Sequence, residues 1–349
     1  MPRIAGVAVA PPPHVLRQDE AREMARQFFA TEIKDVERYL GVFEHAEIDT
    51  RALAVPPEWF AEAHSWGECN DRWIDAACTL GAEAARRALR AADLRPEEIG
   101  HILFVSTTGL AAPSLDARIM AELGMPRHTR RTPIWGLGCA GGAVGLTRAA
   151  DHARAYPRER ALLVCVELCS LTFQFGDRSP RNLVAAALFA DGAAAVIVEG
   201  EEVGGNGPAI IASESTLFPN SFDLMGWDIV DTGMRVVFGT KIPHIVREHF
   251  QPLAEGFLGR HGLSLGEIDH HIYHPGGAKV LGAFEQAGGL SPCALGHSRA
   301  VLRQWGNMSS ATVLFVLERF INGGIAPGEH GLMTVFGPGF SSEMVLIAG

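Results

Sequence analysis

The chain has 349 residues, 47% apolar and 20% charged, enough for a large buried core and too apolar for a disordered polypeptide. Its net charge of −10 and pI near 5.8 exclude the concentrated basic face that nucleic-acid binding needs, although a local basic rim could still meet an anionic substrate. The N-terminal MPRIAGVAVAPPPH has too short an apolar stretch for a signal peptide or a membrane span, so a cytoplasmic protein is expected.

Residues 4–10 read as a strand closed by the prolines at 11–13, and residues 17–40 show helical spacing with many charges, as surface helices do. After an irregular stretch from Phe43 to Asp71, Asp71 is expected to cap a long amphipathic helix reaching about Leu94. HILFVST (101–107) follows as a buried strand. Strands at 133–137, 161–166 and 193–198 then alternate with helices, one of them after Gly142, which predicts an α/β fold with covered sheets. The six cysteines show no CxxC pair. Cys165 and Cys169 lie in an apolar run, where buried structural thiols are commoner than metal or disulfide pairs.

The second half repeats the first. EEIGHILFVSTTG (97–109) is echoed by GEIDHHIYHPGG (266–277), GLGCAGGAVGLTRAADHA by WGNMSSATVLFVLERFIN, RALLVCVEL by GLMTVFGPGF, and DGAAAVIVE by SSEMVLIAG. Four echoes in one order predict two pseudo-symmetric halves, 1–204 and 205–349, joined at the turn-rich EEVGGNGP. In such a duplication Cys139 and Asn307 occupy equivalent turns, each opening a helix.

Cys139 in GLGCAGG stands between a strand and a helix. There a helix N-terminus lowers a thiol pKa, and glycine backbone N–H groups can form an oxyanion hole. A small buried residue in a Gly-rich turn would look the same. His274 ends a strand and is pinned by Pro275-Gly276-Gly277, which suits an acid or base; with His270 and His271 it could also suggest a metal site, but no carboxylate or Cys nearby completes a ligand set, so no metal is expected. Asn307 alone reads as a helix N-cap. Together, Cys139, His274 and Asn307 supply a nucleophile, a base and neutral N–H donors, a set that peptide hydrolysis and acyl condensation both use. The duplicated α/β layout favours condensation, in which charge builds on a thioester oxygen once CO2 leaves.

The motifs GLGCAGG, ALFADGAAAVIV, YHPGG, WGNMSS and FGPGF, in this order, make the chain similar to the type III polyketide synthases, the chalcone-synthase-like family of the thiolase fold. The resemblance implies a layered αβαβα fold and a homodimer needing no cofactor. Its substrates would be an acyl-CoA starter, loaded on Cys139, and malonyl-CoA, with His274 and Asn307 in the decarboxylation and oxyanion roles. Phe189 falls on the family's gatekeeper phenylalanine, Thr172 on a cavity-lining position and Pro338 in the GPGF loop. Thr107, Ala111 and Ser309 are taken as further substrate contacts. Three departures accompany it: Val236 replaces a second gatekeeper Phe, Ala112 a Met that reaches the partner's cavity, and Asp49 a CoA-contacting lysine for which Arg51 is the substitute candidate. PSLDARI, VELCSLTFQ and MGWDI…DTG resemble bacterial synthases that make alkylpyrones or alkylresorcinols, so a fatty-acyl starter and a tunnel near Ala111 and Ala112 are expected. An initiating ketoacyl synthase of the same fold, taking its extender from a carrier protein, and a Cys-dependent thioester hydrolase are the alternatives.

Overall fold

A computed structural model describes residues 1–349. In chain order the strands are β1 (Arg3–Ala10), β2 (His14–Arg17), β3 (Thr50–Leu53), β4 (His101–Val105), β5 (Arg130–Ile134), β6 (Arg160–Leu168), β7 (Asp191–Glu199), β8 (Ala209–Leu217), β9 (Met225–Val230), β10 (Gly233–Phe238), β11 (His270–Tyr273), β12 (His330–Gly337) and β13 (Ser341–Ala348). The α-helices are α1 (Gln18–Phe29), α2 (Val36–His45), α3 (Trp66–Ala91), α4 (Leu115–Leu123), α5 (Gly141–Ala155), α6 (Pro180–Leu188), α7 (Ile242–Gly259), α8 (Ala278–Gly288), α9 (Gly296–Trp305) and α10 (Thr312–Gly323).

Nine strands are hydrogen-bonded in the order β11-β12-β13-β8-β1-β7-β6-β4-β5. Starting from β1, the succession β1-β7-β6-β4 is antiparallel, antiparallel, parallel. Starting from β8, the succession β8-β13-β12-β11 repeats that pattern. The two half-sheets meet only at Arg3↔Ala209. This is the pseudo-symmetry that the sequence echoes announce.

Helices α5 and α10 lie between the half-sheets, in one apolar cluster that takes Leu163 and Val196 from the first and Met333 and Val345 from the second. α3 and α4 cover the outer face of the first half-sheet, and α7 and α8 that of the second. The result is five layers, αβαβα. Both faces of β6 and β7 are thereby buried, which is why ALLVCV and GAAAVIV are continuous apolar runs without alternation. At the centre α5 must come very close to the second half: a Cβ on Gly142 would stand 2.3 Å from the Ser310 carbonyl oxygen.

Two boundaries differ from the sequence reading. Helix α3 starts at Trp66, not Asp71, because Ser65 accepts the Glu68 N–H while Glu68 accepts the Ser65 N–H, a reciprocal capping box. Strand β5 ends at Ile134, since Gly136 turns away at φ +90°; its Pro133 is tolerated because β5 is the sheet's edge. Outside the layers, α1, α2, α6 and the antiparallel pair β2–β3 share a small core around Leu16, Phe29, Leu40 and Leu183. With the β9–β10 hairpin they surround the approach to the site. No helix is long and apolar enough to cross a membrane.

Candidate active site

GLGCAGG forms a single 3₁₀ turn, Gly138–Ala140, directly before α5. Gly138 has φ +46°, and a Cβ there would lie 2.6 Å from the Pro338 ring, so both conformation and space demand glycine. The Gly138 N–H donates to the Thr107 hydroxyl at 3.0 Å. Thr107 and Pro338, both singled out in the sequence, thus hold the turn that carries Cys139.

His274 is the residue after β11, and its N–H donates to the Thr334 carbonyl at 3.0 Å. Its ring is buried, and neither ring nitrogen has a hydrogen-bond partner. The three histidines do not converge: His270 reaches Glu329, His271 reaches the Tyr273 hydroxyl, and His274 stands alone.

Asn307 is clamped on both sides of Phe189. Its N–H donates to the Leu188 carbonyl and its carbonyl accepts from the Ala190 N–H, both at 2.9 Å. The side-chain oxygen accepts from the Ser309 N–H at 2.9 Å and the Thr312 hydroxyl at 3.4 Å, so it caps the turn as the local sequence suggests. That fixes the amide's orientation, and Nδ2 reaches the other way to donate to the Gly276 carbonyl at 3.1 Å, in the loop after His274. Ser309, at φ +47°, brings its hydroxyl within hydrogen-bonding reach of the Cys139 thiol. A chain of contacts therefore runs from Cys139 through Ser309 and Asn307 to the His274 loop.

The electrostatics correct one expectation. The helix N-terminus lies next to Cys139, yet burial pushes the thiol up to about 12; the Ser309 hydroxyl opposes this and the nearby Glu167 carboxylate adds to it. Burial likewise pushes His274 down to about 3. Burial thus favours the neutral form of each group, a protonated thiol and an uncharged imidazole.

Glu167, at the end of β6, was missed by sequence reading. It is fully buried and accepts from the Thr107 N–H (3.0 Å) and from the hydroxyls of Thr108 (2.9 Å) and Ser310 (2.6 Å). Burial raises its carboxyl to about 7. It ties the loop after β4 to the turn after Asn307, across the two halves. A carboxylate closing the six-residue apolar run ALLVCV was the available signal.

Beside these residues lies an apolar cavity, in which only Arg51, Ser170, Thr172 and Asn182 of the lining residues are polar. Phe189, Thr172 and Val236 line it as the sequence suggests, but bulk returns from elsewhere: Trp227 and Phe238 lie 6.1 and 6.5 Å from the Phe189 ring. Arg51 is buried, and its guanidinium donates to the carbonyls of Ala186 and Phe189. It also lines the cavity and keeps an Nε without a hydrogen-bond partner. Ala111 packs beside the α3 core and Ala112 is exposed; neither lines this cavity. Cys165 and Cys169 are buried free thiols.

Comparison with known proteins agrees with this geometry. Residues 47–202 match the family described as chalcone and stilbene synthases, N-terminal domain, and residues 209–349 match its C-terminal domain. A 1,3,6,8-tetrahydroxynaphthalene synthase of Streptomyces peucetius subsp. caesius is 41% identical, covering 99% of this chain and 92% of the relative. An alpha-pyrone synthesis polyketide synthase-like protein of Mycobacterium tuberculosis is 29% identical, covering 98% and 90%. The crystal structure of 1,3,6,8-tetrahydroxynaphthalene synthase from Streptomyces coelicolor, a bacterial type III polyketide synthase, superposes with a TM-score of 0.94 at 33% identity, over 99% of each chain. Both halves matched, at this identity and coverage, mean that the chain belongs to the chalcone and stilbene synthase family: it is a type III polyketide synthase, an acyltransferase that forms carbon–carbon bonds by decarboxylative condensation.

Proposed function

We propose that this synthase takes an alkyl-chain acyl group from a CoA thioester, extends it with malonyl-CoA and releases a pyrone or resorcinol that keeps the alkyl tail. The observation that carries this reading is the cavity beside Phe189 and Thr172, whose lining is almost wholly apolar. Each methylene buried there contributes about 0.8 kcal/mol, a gain that a short or polar starter lacks.

In this reading Cys139 Sγ attacks the thioester carbonyl while His274 takes its proton, and the CoA thiolate leaves with a proton. Malonyl-CoA then loses CO2. The electron pair of the broken bond becomes an enolate, whose oxygen accepts from Asn307 Nδ2–H and a His274 N–H. The enolate carbon attacks the acyl carbonyl and releases the sulfur. Arg51 acts as a positioning residue for Phe189. The enzyme works as a two-fold homodimer through the face around Ala112 and edge strand β5, where Leu110 and Trp135 are exposed. A cytoplasmic location goes with six free cysteines and CoA substrates.

A second reading rests on the 41% identity to a tetrahydroxynaphthalene synthase. A naphthalene bearing only hydroxyls has no alkyl tail, so the apolar cavity would have no occupant. Incubation with a ladder of acyl-CoAs and isotopically labelled malonyl-CoA, with mass detection, decides between them. Tailed products support the alkyl reading; a tetrahydroxynaphthalene formed whichever starter is supplied refutes it.

A further inference from the structure

The apolar cavity exists because its walls are made small. Ala21 and Ala25 on α1 face Ala185 and Ala186 on α6, and the ordinary helix-packing volume at this contact is left unfilled. One end of the cavity is at Phe189, whose neighbours Leu188 and Ala190 are hydrogen-bonded to Asn307. Phe28, in the last turn of α1, is also part of the cavity wall. The Phe28 ring meets those of Phe173 and Phe175, each with centroids 5.1 Å away. Arg178 lies over the other side, with its guanidinium carbon 3.3 Å from the Phe28 ring centroid, and donates to the Phe28 carbonyl.

Arg178 does not belong to the apolar cavity. It lines a polar surface cleft with Lys34, Asp35, Arg38 and Asp177. Phe28 and Arg178 therefore stand back to back, as the partition between the apolar cavity and the solvent-facing cleft. The partition is carried by α1 and the loop after Thr172, both outside the layered core.

We propose that the Phe28–Arg178 pair is the stopper of the acyl cavity and sets the longest alkyl chain the enzyme accepts. This rests on the alkyl-starter reading above and extends it to two residues that touch no reacting atom. A chain reaching Phe28 can go further only by displacing the ring, and the ring is held by the guanidinium stack and the aromatic neighbours. The bonds that hold Cys139, Asn307 and Glu167 lie in other elements, so altering the stopper leaves condensation itself in place.

The test uses the full-length protein and saturated acyl-CoAs from six to twenty carbons, reading acylation of Cys139 by intact mass and chain-resolved product by mass spectrometry. Phe28→Ala is expected to move the upper length limit outward by about four carbons, the volume of the ring removed. Arg178→Ala is expected to move it in the same direction by less. Ala25→Phe, which fills the cavity before the stopper, is expected to move it inward while hexanoyl-CoA still loads. Thermal melts of the three variants identify any that fail to fold, and the remaining ones carry the test. An unchanged limit in folded Phe28→Ala and Arg178→Ala proteins overturns the stopper but leaves the alkyl reading standing. Failure of every starter to acylate the wild-type protein overturns both.

Discussion

Replacing Glu167 by Gln tests how the two halves are joined beneath the nucleophile. The carboxyl is fully buried, lies among the Thr107 N–H and the hydroxyls of Thr108 and Ser310, and is raised by burial from its ordinary 4.5 to about 7. Because the folded value lies above the unfolded one, its stabilising contribution is complete below about pH 4.5 and is lost as pH rises through about 7. The shift corresponds to about 3 kcal/mol across that window. For a chain this long, with an unfolding entropy of roughly 0.7 kcal/mol/K, the loss is about 4 °C in Tm. Gln keeps the shape and cannot ionise, so between pH 5 and pH 8 the wild type should lose about 4 °C more than Glu167→Gln. Scanning fluorimetry or calorimetry at half-unit pH steps reads this difference directly. Asp191, also buried and raised to about 6, contributes equally to both proteins and cancels. Parallel pH curves for the two proteins would show that Glu167 does not titrate in this window.

Cys139→Ala should abolish acyl labelling by any CoA thioester and leave the Tm within a degree or so, because the side chain is small and removes little buried volume; labelling that persists would remove Cys139 from the nucleophile's role. Asn307→Ala should still load a starter but lose about 10²–10³-fold in malonyl-CoA decarboxylation, the cost of one preorganised donor, as followed by CO2 release. Because burial holds the Cys139 thiol up and His274 down, alkylation by iodoacetamide should keep accelerating from pH 7 to pH 9. In Glu167→Gln the same curve should shift to lower pH, since that carboxylate helps to raise the thiol; a rate independent of pH above 6 would contradict the neutral resting pair. Light scattering at micromolar concentration should find a dimer, and Trp135→Glu should weaken it.

What the sequence made legible was the part in which local pattern and global role agree. The echoes between the halves predict the two matching strand successions, and GLGCAGG, HPGG and WGNMSS predict turns that the structure links through Ser309 and Asn307. The misjudged start of α3 was legible too, since SWGE is a capping box and Asp71 lies a turn and a half inside the helix. Other features were not. The pKa direction at Cys139 depends on burial, and burial outweighs the helix terminus that the motif displays. The carbonyl partners of Arg51 lie about 135 residues away, where no local pattern could show them. Trp227 replaces, through space, the bulk that Val236 lacks, and nothing in the MGWDI segment itself points toward Phe189.

The division between the layered core and its attachments bears on how such an enzyme can diversify. Cys139, His274, Asn307 and Glu167 are held by turns at the seam of the half-sheets, where a Cβ on Gly138 or Gly142 would collide with the opposite half. A change of one methyl there costs several contacts at once, so the chemistry is fixed by packing. The cavity that meets the alkyl chain is walled instead by α1, which packs in the small satellite core, and by α6 and the β9–β10 hairpin, which also reach the core of the second half-sheet through Leu188, Met225 and Phe238. Exchanging Ala for Phe on α1, or Phe for Ala at its end, disturbs that satellite core alone. Substrate length can therefore vary on α1, whose repacking leaves the seam untouched, and the variants of Phe28 and Ala25 should change which starter is taken while the rate of malonyl-CoA decarboxylation stays within about twofold of wild type. A decarboxylation rate that falls in step with the change in starter length would show that the satellite elements and the seam are coupled.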